Sequence, residues 1–357
     1  ALMLLDECKE LGTLPFAHIA RAAFISISIL KSAVQSSIIS EDAFNSFLSS
    51  VKTISHEFTD DLQNLNKSNK KDEWGKFLNK YGHLRPGTYD ITSLSYFEAK
   101  DKYLSKDNKF NLNQSLNDKK TWNAEKNFLF EELRKNGILF SNEEFEDFLY
   151  SSIEGREYSK FIFTKNLSKS LDYFIEFGKS FDLDRNCLSH LPLSSFYEYQ
   201  KGIINDINLK ETFSKISLDS ANQRNIENLI ELPLLITNKE DFFAFKEPKS
   251  KPNYIGTKTA TAEIIELKNI KDNLSVYFLK GKIVLIENAD PGYDWIFAGD
   301  IYGLITMYGG GNSHMAIRAA EYELPAAIGV GISLYKKLSL SNLIELDCNK
   351  KTIKLLR

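Results

Sequence analysis

The segment that most restricts how this chain can fold runs from Gly303 to Gly331, GLITMYGGGNSHMAIRAAEYELPAAIGVG. GLITM is short, apolar and β-branched and reads as a buried strand, whereas HMAIRAAEYEL is rich in Ala and favours helix. Pro325 stops that helix, and AAIGVG reads as the next strand. A strand, a glycine loop, a helix and a second strand in so few residues place a compact α/β unit at this end of the chain. One glycine suffices for a turn; Gly309, Gly310 and Gly311 together strip the approach to the helix of side chains. His314 stands behind them at the helix mouth, where unpaired N–H groups and the positive dipole end favour an anion. The same dipole disfavours imidazolium, so the expectation is a His314 that is neutral near pH 7 with a free lone pair. A neutral imidazole beside an anion cradle can attack phosphorus. A glycine-rich turn whose histidine merely caps the helix would leave the same local pattern.

Upstream the pattern is different. Phe16, Ile19, Ala23, Ile27, Leu30 and Val34 recur at helical spacing, and helical patterns continue over Glu41–Leu65, Trp74–Tyr81, Thr121–Asn136, Asn142–Leu149, Ser168–Phe181 and Ser194–Ile207. The polar runs Asn66–Asp72 and Ser105–Lys120 read as a solvated loop and a segment too polar for a core. After KEPKSKP (Lys246–Pro252) come short β-rich runs, NYIGTKTATAEIIEL, SVYFL and KIVLIENA. The expected fold class is α+β: a mainly helical domain over 1–247 and a compact α/β domain over 248–357, joined by a charged, proline-bearing hinge.

With 357 residues the chain is long enough for two cores. Its 45 basic residues are dispersed among 48 acidic ones for a net charge of −3, which offers no basic face for nucleic acid. Cys8, Cys187 and Cys348 lie far apart, and the five histidines form no HxH or HxxxH pair, so neither a disulfide framework nor a metal site is expected, and a reduced cytoplasm fits best. The most apolar stretch, Phe16–Val34, is interrupted by His18, Arg21 and Lys31 and reads as a buried amphipathic helix, not a membrane span.

The run IVLIENADPGYDWIFAGDIYGLITMYGGGNSHMAIRAAEYELPAAIGVG resembles the mobile phosphohistidine domain of the phosphoenolpyruvate-utilising enzymes, which include pyruvate phosphate dikinase, phosphoenolpyruvate synthase and rifampicin phosphotransferase. The resemblance rests on GG-x-x-SH-x-AI-x-A-x-E-x-x-x-P-A-x-x-G. It implies that His314 is the phosphoryl carrier, that Gly309, Gly310, Gly311 and Ser313 surround the phosphoryl group, and that the domain swivels between an ATP site and a remote acceptor site. Asn312 stands where the dikinases have Thr, which implies that no regulatory threonine of that type is present.

YGHLRPGTYDITSLSY (Tyr81–Tyr96) is similar to the YGHRGPGE-x-DL stretch of rifampicin phosphotransferase-like proteins, with Leu84-Arg85 in place of Arg-Gly. REYSKFIFTKNLS (Arg156–Ser168) resembles their arginine-led helix, in a domain that receives the acceptor. The resemblance implies His83, Arg85, Asp90, Arg156 and Lys160 as acceptor-site residues; buried ion pairs that hold helices together are the alternative. Residues 1–247 contain no Walker or other glycine-rich nucleotide loop. The resemblance therefore implies that ATP and Mg²⁺ bind an ATP-grasp domain outside these residues, one that the chain's opening without Met suggests preceded residue 1. Within this architecture, ADPGYDWIFAGDIYGLITMYGGGNSHMAIRAAE and REYSKFIFTKNLS are similar to the L-glutamine kinases of capsular phosphoramidate synthesis. That implies L-glutamine as acceptor, with Arg85 or Arg156 and Asp90 holding the zwitterion and His83 or Asp90 as base. The alternatives are an antibiotic phosphotransferase with a large apolar cavity, a pyruvate-directed synthase, and a non-catalytic phosphocarrier. A carrier that serves two sites calls for a polar, modest interface with the helical domain.

Overall fold

A computed structural model describes residues 1–67, 71–104, 119–227, 229–230, 232, 236–243, 251–267, 276–311 and 313–356. Asn312, most of the polar run Ser105–Lys120 and most of the Lys246–Pro252 hinge lie outside the described residues. The fold is α+β. Its helices are α1 (Leu2–Glu7), α2 (Leu14–Gln35), α3 (Glu41–Ser50), α4 (Ile54–Lys67), α5 (Lys71–Tyr81), α6 (Lys100–Tyr103), α7 (Lys120–Lys135), α8 (Asn142–Ser180), α9 (Arg185–Ser189), α10 (Leu193–Gln200) and α11 (Leu209–Glu227). The sheet-bearing part follows: β1 (Asn253–Ile255), β2 (Thr259–Glu266), β3 (Ile283–Ile286), β4 (Gly303–Thr306), α12 (His314–Glu321), β5 (Ala326–Ile328), α13 (Ile332–Ser339), β6 (Leu343–Asp347) and β7 (Thr352–Leu355).

The spine of the helical part is α8, 39 residues long. Ser141 and Glu144 start it with a reciprocal capping box that satisfies backbone donors at its first turn. The spacing predicts helix over Asn142–Leu149 and Ser168–Phe181, and Arg156–Ser168 resembles a helix between them, in which Glu157, Lys160 and Thr164 are polar. They turn inward with Ile153 and Phe161, so the helix continues and its middle carries a polar face. In the opposite sense, Glu41–Leu65 is broken into α3 and α4 by the extended backbone of Val51.

α2 lies along α8 and buries Ala20, Ala23, Ile27, Leu30 and Ala33; of the positions expected from the spacing, Ala23, Ile27 and Leu30 are buried, and Phe16, Ile19 and Val34 are half-buried. Ser26 and Ser152 share a hydrogen bond of 2.7 Å inside that contact. The wider helical run Leu2–Gln35 is, by length and composition, long and apolar enough to cross a membrane, although part of it packs on α8.

The sheet has seven strands in the order β1-β5-β4-β3-β2-β6-β7 among the described residues. Strands β2, β3, β4 and β5 are parallel neighbours, and β1, β6 and β7 add antiparallel edges. The inner strands alternate between two cores: Ile283, Leu285, Ile305 and Ala327 face Tyr335 and Leu338 of α13, while Val284, Ile286, Leu304, Ala326 and Ile328 face α12. Of SVYFL, the described residues Val276–Leu279 form a 3₁₀ turn in place of the expected strand and bury Val276 and Leu279.

The second core does not stop at α12. Met315, Ala316, Ala319, Trp295 and Ile296 join one apolar cluster with Ile54, Phe58, Leu62, Phe77, Tyr81, Tyr96 and Phe161 of the helical part. The rings of Tyr103 and Trp295 lie 5.7 Å apart, and Tyr96 Oη donates to the Gly292 carbonyl at 3.0 Å. A Cβ on Gly292 would stand 1.9 Å from the Arg85 carbonyl oxygen, so the loop before α12 is seated directly on the Tyr81–Tyr96 loop. The polar, modest interface expected from the carrier argument is therefore not what this packing has: apolar residues from both sides share one core.

Candidate phosphoryl-transfer site

Ser313 caps α12, its Oγ accepting from the Ala316 amide at 3.3 Å, and so is engaged in starting the helix. The three glycines before it answer to different constraints. Gly309 has φ +130°, and a Cβ there would lie 2.9 Å from Ala289 Cβ. At Gly311 a Cβ would meet Asn253 Oδ1 at 2.9 Å and Lys31 Nζ at 3.3 Å, whereas at Gly310 it would meet open space. The stripped approach that the sequence suggested is real, and it opens at Gly310.

His314 is the first residue of α12 and is buried. Its Nε2 lies 2.6 Å from Asp294 Oδ1, and its Nδ1 faces Glu157 Oε2 at 3.4 Å. Asp294 comes from the 3₁₀ segment Pro291–Gly299 and Glu157 from α8, so one carboxylate belongs to the sheet-bearing part and the other to the helical part. Burial alone favours a neutral ring, but the charge of Asp294 and hydrogen bonds to both carboxylates outweigh it and raise the His314 pKa to about 9. The neutral, free histidine expected from the helix dipole is thus corrected: in this packing it is an imidazolium with a carboxylate on each nitrogen. Burial pushes Asp294 and Glu157 upward, and the facing cations reverse this and leave both below the ordinary carboxylate range.

The network extends outward. Arg318, fully buried one turn along α12, places Nε 3.4 Å from Asp294 Oδ1, pairs with Glu321 Oε2 at 2.6 Å and donates to Thr59 Oγ1 of α4 at 2.9 Å. Its guanidinium also lies 4.9 Å from the Tyr322 ring, which stacks on Phe297. His56 Nε2 reaches Glu321 Oε1 at 3.2 Å, while its Nδ1 accepts from the Thr53 amide. Arg156 Nη1 pairs with Glu157 Oε1 at 2.7 Å. The cations Arg156, His314 and Arg318 are therefore matched by Glu157, Asp294 and Glu321, a balance complete only with His314 protonated.

A cavity of about 30 Å³ adjoins His314, lined by Glu157, Lys160, Thr164 and Phe161 of α8, Thr88, and Asp294. Of the acceptor-site residues suggested by resemblance, Lys160 reaches it, holding Asp290 Oδ1 at 3.2 Å, and Arg156 touches it through Glu157. The other three serve elsewhere. Arg85 is buried and braces its loop against α8, donating to Ser93 O, Ser168 Oγ (2.8 Å) and Asp172 Oδ1 (2.9 Å). Asp90 is exposed and closes a turn on Thr92. His83 lies 3.2 Å from the Phe161 carbonyl, and burial lowers its pKa to about 4. Sequence reasoning passed over Asp294, Glu157, Arg318 and Glu321. Glu157 left a signal as part of the polar face Glu157, Lys160, Thr164 at helical spacing, and Glu321 as the fixed Glu of the glycine-loop motif.

Residues 278–351 match the family model of the PEP-utilising enzyme, mobile domain. The matched stretch holds His314, Asp294, Arg318 and the three glycines; Glu157 and Lys160 lie outside it. A comparison of the chain with curated proteins finds no match.

Proposed function

We propose that His314 carries a phosphoryl group from a nucleotide to a small acceptor whose site is formed with the face of α8 that bears Glu157 and Lys160. The observation that carries this reading is the place of His314, on a glycine-led helix start inside the stretch that matches the mobile-domain model, facing a polar patch of the helical part. In the first step the ring nitrogen bonds to phosphorus, the phosphorus–oxygen bond to the nucleotide breaks, and the ring sheds a proton. In the second the acceptor attacks phosphorus, the nitrogen–phosphorus bond breaks, and a base takes the acceptor's proton. Glu157 replaces His83 and Asp90 as that base in this proposal: it is the carboxylate that meets His314 from the acceptor side, whereas Asp90 is tied to Thr92 and His83 faces the Phe161 carbonyl. Residues 1–247 hold no glycine-rich nucleotide loop, and this proposal assigns the donor step to a nucleotide-binding unit outside these residues.

L-Glutamine, phosphorylated on its side-chain amide nitrogen, is the favoured acceptor, on the similarity of the glycine-loop and REYSK stretches to the L-glutamine kinases. The antibiotic reading calls for a large apolar cavity, and the space at His314 is about 30 Å³ with charged residues on its wall. The test uses the protein linked to its nucleotide-binding unit, radiolabelled ATP and magnesium, and phosphorus NMR with L-glutamine, L-asparagine, pyruvate or rifampicin. Acid-labile label on His314 and a new phosphoramidate signal with L-glutamine alone are expected. Transfer that survives His314→Gln refutes the carrier, and a product from another acceptor reassigns the substrate. His314→Gln is a better control than His314→Ala, because deletion of the ring leaves buried Asp294 and Glu157 facing a void.

A further inference from the structure

We propose that Glu157 is a latch that holds the sheet-bearing part closed on the helical part only while His314 is unphosphorylated, and that phosphorylation of His314 opens this interface. The inference rests on the carrier reading and adds to it a mechanism of release.

Two observations lead to it independently. The first is space. Both ring nitrogens of His314 face carboxylate oxygens, at 2.6 and 3.4 Å, and the void beside the ring is about 30 Å³. With a carboxylate oxygen at contact distance from each nitrogen, a phosphoryl group bonded to either one must displace that oxygen. The second is charge. The groups facing the ring are Asp294 from its own part and Glu157 from α8, with Arg318 behind the first, and Arg156 and Lys160 flanking the second. Each of these cations already has a carboxylate partner: Glu321 and Asp294 for Arg318, Glu157 for Arg156, Asp290 for Lys160. An imidazolium completes the balance; a phosphorylated ring brings negative charge against two carboxylates in a water-poor site.

The two carboxylates differ in consequence. Asp294 precedes His314 in the same sheet-bearing part, so repulsion between them strains that part wherever it is docked. Glu157 belongs to α8, so its repulsion acts across the contact and is relieved by separation. The packing described here is the closed state of the empty carrier, and the loaded carrier meets its acceptor in a more open one.

The test places spin labels at Ser151→Cys on α8 and Lys336→Cys on α13, both exposed and outside the network, in a Cys187→Ser background. The unmodified protein and His314→Gln are expected to give the short, narrow distance distribution of the closed state. His314→Glu, which fixes an anion at this position, is expected to shift most molecules to longer distances, and adding Glu157→Gln to it is expected to restore the short population. Treatment with phosphoramidate, in which ammonia leaves with the ring proton as the nitrogen–phosphorus bond forms, is expected to give the same opening. Retention of the short distance by folded His314→Glu protein, or failure of Glu157→Gln to reverse its opening, overturns the latch. Absence of label transfer from ATP to His314 overturns the carrier reading instead, and the charge variants still decide the latch.

Discussion

Replacement of Asp294 by Asn tests the electrostatic core of the site in the most direct way. Asp294 Oδ1 is 2.6 Å from His314 Nε2 and is the chief influence that raises the His314 pKa from 6.5 to about 9 against the effect of burial. A shift of that size corresponds to about 3 kcal/mol of folding free energy, as an order of magnitude for a buried coupled pair. Because the folded-state value is raised, this contribution is fully present below pH 6.5 and is lost as pH climbs through about 9. Asp294 and Glu157 have lowered values and do not titrate in that window. The wild type should therefore lose stability steadily from pH 6.5 to 9, as read from urea unfolding, and Asp294→Asn should be less stable at pH 6.5 and nearly flat above it. Histidine NMR should show the His314 titration moved down by more than a unit in the variant. A wild-type His314 that titrates at or below 6.5, or an unchanged pH slope in Asp294→Asn, would falsify the clamp.

Other substitutions probe the packing. Gly292→Ala puts a methyl 1.9 Å from the Arg85 carbonyl oxygen and 2.6 Å from Pro86 N, both backbone, so a loss of about 1–3 kcal/mol in thermal or chemical unfolding is expected. Gly310→Ala meets nothing and should stay within about 0.5 kcal/mol of wild type. Gly309→Ala, with φ +130° and Ala289 Cβ at 2.9 Å, should be clearly less stable by the same assay; equal behaviour of the two would contradict the loop conformation. Arg318→Met strips Glu321 and Asp294 of a buried cation and should cost about 3–5 kcal/mol, against a negligible change if the charges are dispensable.

The glycine loop, α12, β4 and β5 were legible in the sequence because everything that defines them is local: glycines, a Ser cap, an Ala-rich helix and a proline stop within one short segment. The helical character of the first part was legible from spacing. What was lost was lost where tertiary partners decide. The middle of α8 is polar at Glu157, Lys160 and Thr164; Glu157 and Lys160 find partners in the sheet-bearing part, whereas Thr164 bonds back to carbonyls of its own helix. The protonation of His314 was misread because the dipole is written in the local sequence, whereas Asp294 and Glu157 stand 20 and 157 positions from His314 in the chain and only folding brings them to 2.6 and 3.4 Å of its ring. Arg85 illustrates the opposite error: an arginine in a motif-like loop serves as a brace on Ser168 and Asp172.

The apolar cluster that runs from Phe58 and Tyr81 through Trp295 to Met315 and Ala319 has a colloidal consequence. Any separation of the two parts uncovers hydrophobic surface on each of them at once, so an open molecule is adhesive. Its lifetime is then bounded from both sides, by reclosure on its own partner surface and by capture on that of a neighbour. Turnover should therefore be accompanied by self-association that grows with protein concentration and with the fraction of molecules held open, and light scattering would register it without any labelled substrate.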